Sequence, residues 1–370
     1  MTVENERLKA ARAWLAEHGY DAMLACADGQ NSFLESNSVY VFTDIRSIGR
    51  SAVIIAKDGP STLIVEPAYD SDRVGAIASV DRVIATDAFP QTLTDALGAV
   101  KSGRVATVAL TKQSKALSDA VLACLRRAEA FDSLAAEMAR IRTQDELNAS
   151  RQANVIAESG YRRLLEVVRP GMREFELAAD IYDHMRRLGA EDNFLLMSAS
   201  QHNLAVRAAG RRILDRGDII LSEITPCYKG QFVQICRTTV LGEASPMVRD
   251  KYALLKESML RGMEAAVPGA LVADVTKAMN APLVEAGYGD YCRPPYMRVR
   301  GHGLGITSNL PGDLTVDSTN RMEEGMVFVM HPNQYIPETG YLMCGESIVI
   351  SHNGGISLSE KDAELDVLAF

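Results

Sequence analysis

Gly217-Asp-Ile-Ile-Leu-Ser-Glu-Ile-Thr-Pro-Cys-Tyr-Lys-Gly-Gln-Phe-Val-Gln-Ile-Cys-Arg-Thr238 holds two β-rich runs around a short turn at Tyr228-Lys229-Gly230. Runs of this kind, broken by a Lys-Gly turn, predict a hairpin. Glu223 lies in the first run and Gln234 in the second. A hairpin can bring two such positions to one face. A polar acceptor in an apolar strand costs free energy unless it binds something. Two readings follow: a solvated glutamate with a backbone-paired glutamine, or a pair facing a ligand.

Upstream of the hairpin the pattern is helical. Segments at Gln144–Val168 and Arg173–Leu188 are separated by Arg169-Pro170-Gly171, a pair of residues that ends one helix and permits a tight turn into the next. Downstream the same arrangement recurs. Pro170-Gly171 is followed by Gly189, and Pro268-Gly269 by Gly287 at the same spacing. Strands follow each pair of helices, Gly217–Leu241 after the first and Val299–Gly303 onward after the second. Two helix–helix–strand units predict a pseudo-twofold α+β domain with one curved antiparallel sheet, and a site where the halves meet.

The N-terminal part reads differently. An amphipathic helix is expected at Glu4–Gly19. Strands are expected at Tyr20–Cys26, Ser51–Ala56, Thr62–Val65, Arg82–Ala85 and Arg104–Leu110, and helices at Tyr69–Ser79, Gln91–Val100 and Lys115–Ala128. That alternation is a small α/β domain with a mixed sheet. Asn37–Arg50 reads as a charged loop. A change of pattern between Leu134 and Thr143 divides the chain into a domain at 1–134 and a second at 135–370.

The 370 residues carry a formal charge of −9, which disfavours nucleic acid as a partner. No apolar run is long enough for a membrane span, and the charged N-terminus has no signal-peptide core. The 6 cysteines are scattered with no CxxC pair, so reduced thiols and a cytoplasmic location are expected.

Residues that can carry chemistry cluster late in the chain. Gly301-His302-Gly303-Leu304-Gly305 sets a histidine among glycines, which permit close approach of a ligand. Glu324-Gly-Met-Val-Phe-Val-Met-His331-Pro332 is an apolar strand ending in a histidine. Leu342-Met-Cys-Gly-Glu346-Ser-Ile-Val-Ile350 is another, carrying a glutamate.

Across its whole length the chain resembles the creatinase, aminopeptidase P and methionine aminopeptidase family, in the two-domain creatinase-like or prolidase-like branch. Gly217-Asp218 and the hairpin, Arg237-Thr238, Gly301-His302-Gly303, Glu324–Phe328 and Glu346–Ile350 carry the resemblance. It implies a pita-bread fold for the second domain. It also implies a site in which the family's metallopeptidases hold two metal ions with two aspartates, a histidine and two glutamates. Those positions correspond here to Glu223, Gln234, His302, His331, and Gly345 or, through a one-residue bulge, Glu346. The family's remaining site histidines correspond to Val206 and Asn309. Bridging carboxylates are needed to hold two dications together, and glutamine is not an anion.

The resemblance to creatinase therefore implies a metal-independent hydrolase of a C–N bond in a small, carboxylate-bearing, non-peptide substrate, with no cofactor. Histidine supplies the acid–base chemistry. His302, His331, Glu223, Gln234 and Glu346 are the expected catalytic set. Arg50, Asp313, His202 and Arg207 are the expected substrate-binding residues, with Arg50 supplied by the partner subunit of a homodimer. Asp313 stands where creatinase has an arginine and Ile48 where it has an aromatic residue, which argues against creatine itself. One alternative is a mononuclear metal enzyme, hydrolase or lyase, using His302, His331 and Glu223. The other is a catalytically inactive binding protein.

Overall fold

The computed structural model describes residues 5–29, 33, 34, 37–308 and 310–370, which divide into two units, Met1–Arg140 and Ile141–Phe370. The first unit is built on a mixed six-stranded sheet of order β4-β3-β2-β1-β5-β6. Its strands are β1 (Ala22–Asp28), β2 (Arg50–Ala56), β3 (Ser61–Val65), β4 (Arg82–Ala85), β5 (Arg104–Val108) and β6 (Arg127–Ala130). Helices α1 (Glu6–His18), α2 (Ser38–Thr43), α3 (Ser71–Ile77), α4 (Phe89–Leu97), α5 (Lys115–Cys124) and α6 (Leu134–Ala139) belong to the same unit.

Three local expectations need correction here. The segment expected to be a charged loop contains α2, whose six residues are all buried and whose start is capped by the Asn37 side chain. The helix expected from Tyr69 begins as a 3₁₀ turn at Ala68–Asp70. The helix expected to run to Ala128 ends at Cys124, and Arg127–Ala130 pairs in parallel with β5 as an edge strand. Charged residues on such an edge hide it from a propensity reading but keep it from pairing with other chains.

In the second unit, α7 (Gln144–Val167) starts in a capping box made by Thr143 and Glu146. It ends at the Pro-Gly turn, where Gly171 takes a φ of 92°. Helix α8 (Glu174–Arg187) then ends at Gly189. The later pair, α9 (Pro246–Ala265) and α10 (Val272–Glu285), repeats this arrangement, with Gly269 at φ 89° and Gly287 at φ 88°. Two sheets follow the two helix pairs. One joins β7 (Asp192–Ser200), β8 (Ile219–Tyr228), β9 (Gln231–Phe232) and β10 (Ile235–Leu241). The other contains β11 (Gly301–Gly303) and β12 (Val327–Met330); a separate two-stranded ribbon is formed by β13 (Gln334–Ile336) and β14 (Gly340–Leu342). Strands β15 (Glu346–Ser351) and β16 (Gly354–Ser357) complete the second sheet, and β17 (Asp366–Leu368) pairs in parallel with β10 at the edge of the first.

This is the α/β unit that the pattern predicts, followed by the pita-bread domain that the resemblance implies. The curved surface is two sheets rather than one. They meet where Cys236 and Gly345 exchange both backbone hydrogen bonds at 3.0 Å.

The hairpin turns through Lys229 and Gly230, at φ 43° and 76°. Two positive φ values in succession give the turn twist that suits an antiparallel pair. Strand alternation then decides what β8 does. Ile220 and Ile224 enter the cluster beneath α7 and α8, with Leu164, Leu177 and Ile181. Ile219 and Leu221 enter the other cluster, with Leu255, Met279, Phe328 and Ile348. Glu223 has the parity of Ile219 and Leu221, so it faces the second half of the domain. Among the described residues no helix is long and apolar enough to cross a membrane, and the 6 cysteines are free.

Candidate functional site

Glu223 emerges in a cavity of about 620 Å³. Its polar floor is Glu223, His302, His331 and Asn333. Arg298 stands at one side, and Tyr291, Tyr296, Tyr335 and Tyr341 form much of the wall. His302 is carried by β11 across from Val329 of β12, and His331 follows the end of β12. This places the two imidazoles 5.3 Å apart between ring centroids, edge to face.

Burial shapes the chemistry of all three groups. Loss of solvation lifts the Glu223 carboxyl to about 7, with the positive charge of Arg298 pulling the other way. His302 is held below its ordinary value by burial, and its Nδ1 lies 3.0 Å from the Gly303 carbonyl. His331 is pushed down to about 3, first by burial and then by His302. Its Nδ1 is buried with no hydrogen-bond partner. At neutral pH the floor is therefore two neutral imidazoles beside a carboxylate poised between its two forms.

Gln234 and Glu346, expected with this group, do not line the cavity. Cys236, not Gln234, lies directly across from Glu223 in the β8–β10 register. The Gln234 side chain is fully buried; its Nε2 contacts the Cys236 sulfur at 3.6 Å and its Oε1 has no partner. Glu346 is turned towards β10, where its Oε1 accepts from Arg237 at 2.6 Å, and the Ser359 hydroxyl donates to its other oxygen. Both oxygens of this carboxylate are thus engaged within the fold.

Position 345 has no room for a side chain. A Cβ on Gly345 would lie 2.6 Å from the His331 Cβ and 3.0 Å from the Met330 carbonyl. The crowding comes from the Cβ of residue 331 and from backbone, so it is independent of which side chain stands at 331. We expect Gly345→Ala to destabilise the protein by about 1–3 kcal/mol through overpacking. A melting temperature equal to that of the parent would contradict the crowding at 345.

The expected substrate-binding residues are dispersed. Asp313 forms a bridge with the His302 backbone without lining the cavity. His202 and Arg207 line a neighbouring hollow of about 460 Å³, separated from the first by Leu204 and Ala205, which border both. The His202 ring meets Tyr335 edge-on at 6.0 Å. Val206 packs on the core. Asn309 lies outside the described residues. In the first unit, Ile48 is exposed, and the Arg50 guanidinium is held by both carboxylate oxygens of Glu66, at 2.7 and 3.0 Å.

Arg298, Asn333 and the four tyrosines were not anticipated. A signal for some of them was present. Tyr288-Gly-Asp-Tyr-Cys-Arg-Pro-Pro-Tyr-Met-Arg298 runs directly into the Gly-His-Gly segment, an aromatic and basic stretch beside a candidate histidine.

The sequence profile of metallopeptidase family M24 matches residues 148–358, more than half of the chain and all of this cavity. The chain belongs to metallopeptidase family M24. Among its relatives, the uncharacterized peptidase YqhT of Bacillus subtilis is 28% identical over 62% of this chain and 64% of its own length. The Xaa-Pro dipeptidase of Pyrococcus furiosus is 25% identical over 89% of this chain and 92% of its own. The crystal structure of the prolidase from Pyrococcus horikoshii superposes with a TM-score of 0.84, covering 98% of this chain and 100% of that one at 21% identity.

Membership in M24 corrects two expectations. A metal-independent, creatinase-like enzyme for non-peptide substrates is overturned by relatives that are Xaa-Pro dipeptidases; what stands of that expectation is a hydrolase. The expected absence of any cofactor is overturned by a family defined as metallopeptidases. The donor set of this M24 member nevertheless does not fit a pair of bridged ions. Gln234 is neutral, Glu346 is bound to Arg237, and position 345 has no room for a side chain. Among the described residues, no group of three or more His, Cys, Asp or Glu is placed to hold a metal.

Proposed function

We propose that this chain is a peptidase that cleaves the C–N bond of a dipeptide-sized substrate in the Glu223–His302–His331 cavity. The observation that carries the proposal is a carboxylate and two neutral imidazoles gathered on the floor of one concave site in an M24 chain. A volume of about 620 Å³ falls within the roughly 300–1,000 Å³ usual for small-ligand sites.

Glu223 is the proton acceptor in this reading. Water attacks the carbonyl carbon and gives its proton to the Glu223 carboxylate. The C–N bond then breaks, and the same proton passes to the leaving nitrogen. His302 and His331, being neutral, orient the water and the carbonyl without adding charge. The Xaa-Pro specificity of the relatives makes Xaa-Pro dipeptides the first substrates to try.

The test is a panel of dipeptides, with and without proline in the second position, each incubated with and without added Mn²⁺ or Zn²⁺. Free amino acids are quantified by mass spectrometry. Release from at least one dipeptide class is expected. Absence of release from every member under every condition overturns the proposal.

A further inference from the structure

The cavity is chemically divided. Besides its polar residues, the lining holds Tyr291, Tyr296 and Tyr335, whose rings form one continuous aromatic wall. Tyr291 and Tyr296 lie 4.7 Å apart, Tyr296 and Tyr335 are stacked at 5.7 Å with an 18° interplanar angle, and Tyr291 and Tyr335 are 6.0 Å apart. All three line the cavity, and Tyr296 remains 43% exposed.

These rings come from chain segments that local structure does not join. Tyr291 ends a 3₁₀ turn, while Tyr335 lies in β13. They are tied together from behind by Gln334, whose Nε2 donates to the Tyr291 carbonyl and to the Tyr335 carbonyl, both at 2.9 Å. The Gln334 Oε1 accepts from Arg300 at 2.8 Å, and Arg300 is anchored in turn on Asn280 at 2.6 Å. Gln334 and Arg300 are both fully buried. Burying a guanidinium with only neutral partners is costly. Its hydrogen bond fixes which way the Gln334 amide points, and so fixes both carbonyls that carry the wall.

We propose that Tyr291, Tyr296 and Tyr335 form the specificity-determining subsite of this cavity and take a flat aromatic side chain of the substrate, with Gln334 and Arg300 as the residues that position it. Aromatic rings prefer offset or edge-on partners over aliphatic ones of equal area. A wall of rings therefore discriminates by shape as well as by hydrophobicity. The inference deepens the peptidase reading and rests on it, because it names the side chain that accompanies the scissile bond.

The experiment is binding of two uncleaved probes, N-acetyl-phenylalaninamide and N-acetyl-leucinamide, by calorimetry. The parent protein is compared with Tyr296→Leu and Gln334→Glu. The parent is expected to favour the phenyl probe about 3- to 10-fold, the size of an aromatic pair contribution. Tyr296→Leu keeps an apolar side chain and removes the ring, so the preference should fall to about 1. Gln334→Glu keeps the acceptor for Arg300 but has no donor for the two carbonyls. It should lose the phenyl preference while still binding the leucine probe, a selective loss that a merely structural role would not produce. Equal binding of the two probes by the parent, a preference retained in Tyr296→Leu, or no binding of either probe overturns the proposal. The peptidase reading fails separately: a preserved phenyl preference with no dipeptide cleaved sinks that reading alone, and cleavage without side-chain preference sinks this one alone.

Discussion

Replacing Glu223 by glutamine is expected to abolish most turnover and, at alkaline pH, to stabilise the protein. The first effect follows from removing the proton acceptor, a contribution typically of about 10²- to 10⁴-fold. The second follows from linkage. The carboxyl is lifted by burial from an ordinary 4.5 to about 7. A raised pKa means that the folded state favours the protonated form. That stabilisation is fully present below the unfolded-state value and is lost as pH rises through 7. The cost of ionising Glu223 in the fold is on the order of 3 kcal/mol, and glutamine does not incur it. Thermal melting of the two proteins should coincide near pH 4.5 and separate by several degrees near pH 8.5, with the variant higher. In the parent, turnover should decline about tenfold per unit as pH falls below 7, since only the ionised carboxylate accepts a proton. A melting difference independent of pH would place the Glu223 carboxylate in water. Undiminished turnover would remove it from the chemistry.

The second large effect is expected behind the cavity. Arg237 and Glu346 are 4% and 3% exposed and 2.6 Å apart, so each would be an uncompensated buried charge without the other. Arg237 also donates to the carbonyls of Gly345 at 2.7 Å and Cys236 at 3.1 Å, the two residues through which the sheets meet. Its guanidinium lies 5.7 Å over the Tyr161 ring, and the Tyr161 hydroxyl donates to Asp366 at 2.7 Å. One cation thus ties β10 and β15 to α7, and through Tyr161 to β17. Arg237→Ala or Glu346→Ala alone should cost about 3–5 kcal/mol in denaturant unfolding. Arg237→Met with Glu346→Leu should recover most of that loss, because no charge is left buried. Strictly additive losses would contradict a coupled pair. The double variant also separates two roles for Glu346. A charge that only neutralises Arg237 predicts turnover within a few fold of the parent; a catalytic carboxylate predicts its loss.

The contrast between Glu223 and Glu346 marks the limit of a reading along the chain. Both are glutamates in apolar strands next to residues that suggest a site. The parity of Glu223 with Ile219 and Leu221 assigns its face, but only the strands opposite that face make it a cavity. Glu346 lies in an equally plausible position, and its partner Arg237 is 109 residues away. No local pattern encodes that pairing. The same holds for the aromatic wall, where Gln334 reaches back 43 residues to the Tyr291 carbonyl. The loop expected before β2 failed for a related reason. Val39, Tyr40, Val41 and Phe42 have weak helix propensity, and α2 forms there because every one of its residues is buried.

What the sequence by itself determined was the architecture. The hairpin at Lys229-Gly230, the paired helices around Pro170-Gly171 and Pro268-Gly269, and the glycine-flanked His302 are each set by turn chemistry and periodicity within a few residues. The tertiary structure alone decided which polar side chains share a cavity and which neutralise one another. Periodicity says which face a side chain takes; the charge, space and solvent it meets there are supplied by residues about a hundred positions away. Those residues gave Glu346 a guanidinium and left Glu223 facing the cavity.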